Sequence, residues 1–316
     1  MTQIWLPKRE LIVELPDARP RACGWFKLEA IRPDGRVRPL TGWFPNLITD
    51  TGLNRMGTNS YLAACHVGTN NTAPNVADTA LAGYVGGTTT RQAQSEGAQA
   101  TAPYYGWQRI TYRFAAGTAT GNIAEVGISS QAANPGSVIF SRALVLDEFG
   151  APTTVTVLAD EVLDVTYELR LYPPLVDVTG TVVITGSGTH DYTLRAANVT
   201  SNSQWGSPIG NVASLTPYGS AHLFVYNGSI GAITSLPSGS GGSVGCINNA
   251  YSSTSLTRTG YGTFGLNVGN LAGGISAVYY TTSLGAYQYS LTPIINKTNT
   301  KTLVLTNRIS WSRCTP

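Results

Sequence analysis

Charge is what this sequence has least of. Asp, Glu, Lys and Arg together make up 12% of its 316 residues, roughly half the ~25% usual in globular chains. Helices on a protein surface wet their outer faces with those residues, so few exposed helices fit here. Cysteine is scarce as well: Cys23, Cys65, Cys246 and Cys314 are widely scattered with no CxxC, which excludes a dense framework of bridges and predicts free thiols. The three histidines, His66, His190 and His222, share no ligand spacing with them, so neither zinc nor any other metal or cofactor is expected. No apolar run approaches the ~18 residues of a membrane-spanning helix, which excludes that kind of membrane insertion. Met1 to Leu15 mixes Lys8, Arg9, Glu10 and Glu14 with its apolar residues. That is not the basic-then-apolar layout of a signal peptide, so synthesis and assembly in a cytoplasm are expected.

Acidic groups are nearly absent from the second part of the chain. Residues 1–175 hold 14 basic and 15 acidic groups, whereas 176–316 hold six basic groups and only Asp177 and Asp191. The resulting charges of about −1 and +4 include no Lys/Arg cluster, which excludes a nucleic-acid partner. A surface this poor in charge has little repulsion to keep copies apart, and burial in an oligomer or larger assembly answers that problem.

What replaces charge is Gly, Thr, Ser, Val and Tyr, the residues of pleated strands and tight turns. The segments GWFKLEAIR and VRPLTGWF flank the turn Pro33-Asp34-Gly35 and read as a hairpin within Cys23–Leu47. Thr49 or Asp50 caps a short helix ending at Gly57, the one helix of note. Residues 68–103 read as long loops with short strands. Strands are expected over Trp107–Phe114, Val138–Leu146, Thr154–Leu158 and, most clearly, Leu163–Leu171. In the last, Leu163, Val165, Tyr167, Leu169 and Leu171 share a core face while Asp164, Thr166, Glu168 and Arg170 share a wet one. Pro173-Pro174 ends that strand, and the composition shifts there, so a boundary is placed near 175. Beyond it, strands are expected near Val182–Ile184, Tyr192–Ala196, His222–Tyr226, Gly262–Val268, Ser276–Thr281 and Lys301–Trp311, with Pro237–Ser243 as a surface loop. The fold class is all-β: an antiparallel β-sandwich-like domain over 1–175 and a second sandwich or jelly-roll-like domain over 176–316, with very little helix.

Candidate chemistry is thin. Gly83-Tyr-Val-Gly86-Gly87 lacks the strand–turn–helix context of a phosphate loop and reads as a turn. His190-Asp191 follows Gly186-Ser187-Gly188, but neighbours on one strand point to opposite faces, so these letters read as a turn into the next strand rather than a triad. Asp160, Glu161, Asp164 and Glu168 are the available carboxylates for glycoside chemistry, with Asp164 and Glu168 on the wet face of a strand. No catalytic, cofactor-binding or metal-ligating residue is therefore assigned. The aromatics make a better case: Tyr251, Tyr261, Tyr279, Tyr280, Tyr287 and Tyr289 lie in a Gly/Ser/Thr/Asn-rich setting that resembles binding surfaces. They are candidates for ligand or subunit contact, against the plainer reading of ordinary strand residues with surface hydroxyls.

Three groups of motifs carry a family likeness: Gly42-Trp-Phe-Pro-Asn-Leu-Ile-Thr-Asp-Thr-Gly-Leu53; Val67-Gly-Thr-Asn-Asn-Thr-Ala-Pro74 with Asp78-Thr-Ala-Leu81; and Gly121-Asn-Ile-Ala-Glu-Val-Gly-Ile128 with Phe140-Ser-Arg-Ala-Leu144 and Val165–Arg170. Together they resemble a module of tailed-bacteriophage virion structural proteins of the tail fibre, collar or baseplate type, and Lys301–Arg313 resembles the closing strand of such proteins. The likeness covers about 40–172. It implies a virion location, a docking role for 1–175 and a distal, Ser/Gly/Tyr-rich role for 176–316. The implied partners are other virion proteins, a second and third copy in a homotrimer, and a host surface glycan. A glycan-binding receptor-recognition module is the alternative from another class, followed by a capsid decoration protein and a glycan depolymerase.

Overall fold

The computed structural model describes residues 9–58, 61–207 and 223–314. The first strands are β1 (Arg9–Ala18), β2 (Arg21–Ile31), β3 (Val37–Pro39), β4 (Phe44–Pro45) and β5 (Leu47–Ile48), followed by helix α1 (Asp50–Met56). Next come β6 (Ala64–Gly68), β7 (Tyr84–Thr88), β8 (Arg91–Ala98), β9 (Gly106–Phe114), β10 (Gly121–Ile123), β11 (Glu125–Ser129), β12 (Ile139–Leu144), β13 (Val155–Val157) and β14 (Val162–Tyr172). The remainder holds β15 (Val178–Ile184), β16 (Gly188–Ala196), a π-helical turn (Asn202–Gly206), β17 (Leu223–Tyr226), β18 (Gly241–Val244) and β19 (Ile247–Asn248). It ends with β20 (Thr257–Phe264), β21 (Ile275–Thr282), β22 (Gly285–Ile295), β23 (Lys301–Ser310) and β24 (Ser312–Arg313). The protein is all-β, as its composition requires. His222, expected to open a strand, lies outside the described residues.

Local signals fold as read. Gly35 takes φ +81° in the turn between β2 and β3, and its N–H donates to the Arg32 carbonyl. Thr49 caps α1, its hydroxyl accepting from Gly52 N at 2.9 Å, and Gly57 closes it. A side chain at position 52 would meet the Phe140 carbonyl at 1.9 Å, so only glycine lets α1 sit this close to β12. Gly83–Gly87 differs from expectation: Tyr84–Thr88 is the edge strand β7, paired with β6, rather than a turn. The strand β22 has no counterpart in the sequence reading, because Gly285–Tyr289 is buried on both faces and shows no alternation.

The first half is two large sheets around one core, with a two-stranded ribbon of β10 and β13 beside them. A seven-stranded sheet runs β24-β2-β14-β9-β8, with β3 and β4 also on β2, and a five-stranded sheet runs β5-β12-β11-β6-β7. Val165, Tyr167 and Leu169 are buried in the central strand β14, and Phe26, Tyr112 and Phe140 join them in the same core. The second half has a six-stranded sheet, β15-β16-β22-β21-β17-β18, and a four-stranded sheet, β1-β23-β20-β19.

That last sheet crosses the compositional boundary near 175. The first strand of the chain belongs to the second half, running parallel to β23 from Arg9↔Lys301 to Ala18↔Ile309. The segments after β1 and β23 then pass together into the first half, where β2 and β24 pair in parallel as Arg21↔Ser312 and Ala22↔Arg313. One step further along this register lie Cys23 and Cys314, whose Cα atoms are 5.3 Å apart and whose sulfurs form a disulfide. Four free thiols were expected; two remain, Cys65 and Cys246. A separation of 291 residues in sequence concealed a pair of neighbours in space. Other contacts lock the halves: Trp311 Nε1 donates to Leu53 O at 2.8 Å, Tyr251 Oη donates to Asn54 Oδ1 at 2.9 Å, and Arg258 donates to Gly57 O.

A buried guanidinium organises the five-stranded sheet. Arg142, 2% exposed, donates to Glu125 Oε2 at 2.7 Å, Asp78 Oδ2 at 2.8 Å and the Thr72 carbonyl at 2.8 Å. Glu125 in turn accepts from Gly83 N at 2.6 Å, so one ion pair fastens the 69–83 connection to β11 and β12. Replacing Arg142 by leucine leaves Glu125 buried without its cation. We expect Arg142→Leu to lower unfolding free energy by about 3–5 kcal/mol, read by urea denaturation; a loss within ~0.5 kcal/mol, the level of an ordinary surface substitution, would contradict the role given to this group.

Candidate binding face and pocket

The outer face of the seven-stranded sheet is the most elaborated surface of the first half. Its registers align Glu29, Asp164 and Arg113 in one row, Lys27, Thr166 and Thr111 in the next, then Trp25, Glu168 and Arg109, then Cys23, Arg170 and Trp107. Arg113 grips Asp164 with bonds of 2.8 and 2.7 Å, and the Thr111 and Thr166 hydroxyls meet at 3.0 Å. Glu168 accepts from Arg109 Nε at 2.8 Å and Arg170 Nε at 2.6 Å. This face was expected to be wet. Arg170 is indeed partly exposed, but Asp164, Thr166 and Glu168 are buried, the last to 1%, because long Arg side chains and indole rings lie over them.

Both arginines on Glu168 are stacked between rings. The Arg109 guanidinium lies 5.2 Å from the Trp43 centroid and 5.1 Å from that of Trp107. Arg170 lies 4.9 Å from Trp25 and 4.8 Å from Tyr105, which packs on Tyr172 at 5.2 Å. Rings at this distance attract the cation through their negative faces. None of these residues was assigned to a site from sequence, although Trp107 and Arg109 share one face of an alternating strand, which is the signal that marks them.

The face ends in a pocket of about 350 Å³ beside the disulfide. Arg21, Cys23, Trp25 and Tyr172 line it from the sheet, Asn46 and Ile48 from the segment after β4, and Arg313 and Cys314 from β24. Arg313 is paired with Asp50. Trp25 Nε1 and Asn46 Oδ1 are buried without a hydrogen-bond partner.

The tyrosines expected to make contacts are placed differently. Tyr279, Tyr280, Tyr287 and Tyr289 are core residues of β21 and β22, at most 4% exposed. The Tyr287 hydroxyl donates to Leu284 O at 2.7 Å, and that of Tyr289 donates to Pro16 O. Burial raises all four phenols well above their ordinary range. Tyr251 stacks on Trp311 and is committed to α1. Of the six, Tyr261, half-buried on β20, remains for ligand or subunit contact. These tyrosines fill a core because β21 and β22 are central strands covered on both faces.

Ser187 and His190 do meet, Oγ to Nε2 at 2.9 Å, with His190 Nδ1 on the Pro293 carbonyl at 2.5 Å. Asp191 points the other way, into a hydroxyl-lined groove with Tyr192 and Thr292, so the three do not form a triad. Among the described residues no three metal-ligating side chains converge. Three of the carboxylates considered for glycoside chemistry are tied to arginines: Asp164 and Glu168 as above, and Glu161 to Arg38 Nε at 3.0 Å; Asp160 is exposed. Compared with known proteins, the chain matches no family model, no curated protein and no solved structure.

Glu161 gives the protein a pH dependence. Hydrogen bonds from Arg38 hold its carboxyl below the ordinary 4.5, against the opposing effect of burial. A depressed carboxyl contributes stability above its unfolded value and loses it as pH falls through the folded one. The melting temperature should therefore drop on acidification below about pH 4.5, and Glu161→Gln should start lower at neutral pH and fall less steeply; parallel acid limbs for the two proteins would contradict this.

Proposed function

We propose that the chain is a structural component of a tailed-bacteriophage virion, of the tail fibre, collar or baseplate kind, serving assembly and host attachment rather than catalysis. The observation that carries this reading is where the residues of the resemblance meet. Thr72, Asp78 and Glu125, from separate motifs, all converge on Arg142 of a further motif. Thr49 of the first motif donates through its hydroxyl to Ile139 O at 3.1 Å, and Asn46 donates to the Tyr167 hydroxyl at 3.3 Å. The likeness is thus spent on contacts that tie separate segments together, a use of residues that suits a component of an assembled particle.

Assembly has its own support. Leu175, Val176, Val178 and Val183 are exposed, Val176 to 80% and Val183 to 69%, along the approach to β15 and on β15 itself, an edge strand. An apolar edge invites pairing with another chain, and a homotrimer about a three-fold axis covers it. Because a cytoplasm keeps thiols reduced, the Cys23–Cys314 bridge in this setting closes on release into an oxidising medium.

Purified particles of the phage that encodes the chain, labelled with antibody against it and imaged in negative stain, test the proposal. Label at a fixed place on the tail, collar or baseplate is expected. Particles that carry none of the chain would refute it.

A further inference from the structure

The pocket beside the disulfide is lined by a cation that the protein itself leaves unpaired. Arg21 is exposed at its rim, and its side chain makes no hydrogen bond or ion pair among the described residues. Arg313, the second cation lining it, is shared with Asp50, and no acidic residue lines the pocket. The site therefore presents uncompensated positive charge to whatever enters. Trp25 and Tyr172 supply aromatic walls for the apolar face of a ring.

From these groups we infer that the pocket binds a single sugar residue bearing a carboxylate, such as a hexuronate unit of an acidic polysaccharide. Arg21 pairs with the carboxylate, and the ring lies against Trp25 and Tyr172. The volume of about 350 Å³ is near the low end for small-ligand sites, which suits one residue of a chain rather than a long oligosaccharide. Arg313 adds a second guanidinium to the wall, where the Cys23–Cys314 bridge and the pairing of β24 with β2 hold it. This inference deepens the attachment part of the proposed function, but its chemistry stands on the pocket alone. It also moves recognition from the tyrosines of the second half to the first.

Calorimetric titration of the full chain with sodium glucuronate, glucose, glucose 6-phosphate and acetate separates the possibilities. Saturable glucuronate binding is expected, with glucose and acetate each weaker by about tenfold or more. Arg21→Gln should weaken glucuronate by about tenfold or more without changing the melting temperature, while Arg36→Gln, in the exposed turn after β2, should leave binding intact. Absence of glucuronate binding up to about 10 mM, a level that would detect even contacts worth only a few kcal/mol, would overturn the inference. So would equal binding of glucose, acetate binding as tight as glucuronate, or binding unaffected by Arg21→Gln. Tighter binding of glucose 6-phosphate would overturn the carboxylate assignment in favour of a phosphorylated sugar. A chain that binds glucuronate but is missing from particles would leave the site standing and remove the virion reading; the reverse result would do the opposite.

Discussion

The parallel pairing of β1 with β23, carried on by β2 with β24, is the constraint on which the other long-range features depend. Once Ala18 is opposite Ile309, the chain on each side has few ways to continue, and Arg21 falls opposite Ser312. Cys23 then reaches Cys314, Trp311 is delivered to the Leu53 carbonyl of α1, and the wall of the pocket is complete. Removing β1 would bare one edge of β23 and uncover the Pro16 carbonyl's partner, the buried Tyr289 hydroxyl. The halves of the sequence are compositionally distinct, yet neither contains all the strands of its own sheets.

Within the first half, polar groups do work that apolar packing does elsewhere. The Arg142 node and the Glu168 row each bury carboxylates, and each pairs them with guanidinium groups through short hydrogen bonds. Burying a charge is costly unless its partner and its remaining bonds are in place. The arrangement explains how a protein with so few charges can use them inside and leave a surface of Thr, Ser, Asn and Gly. That surface, with the apolar approach to β15, is what makes assembly the proposed role.

Much of the local structure was legible. Thr49 and Gly57 bracketed α1, Pro33-Asp34-Gly35 made its turn, and the alternation of Leu163–Leu171 marked the central strand. These are short-range patterns whose physics is complete within a few residues. The wet face of β14 was misjudged, since alternation distinguishes two faces but not what covers each: nothing near Glu168 in sequence shows that Arg109, Trp43 and Trp107 lie over it. The tyrosines of β21 and β22 looked like contact residues because a strand buried on both sides has no polar period to reveal it. The disulfide and the pocket depend on a register joining both ends of the chain, and no local pattern encodes that.

The central claim is that the two halves form one cooperative body through their exchanged terminal strands. Differential scanning calorimetry of the full chain with the bridge closed tests it most directly. A single transition, with calorimetric and van't Hoff enthalpies in agreement, is the predicted result. Two separate transitions, one for each half, would contradict it.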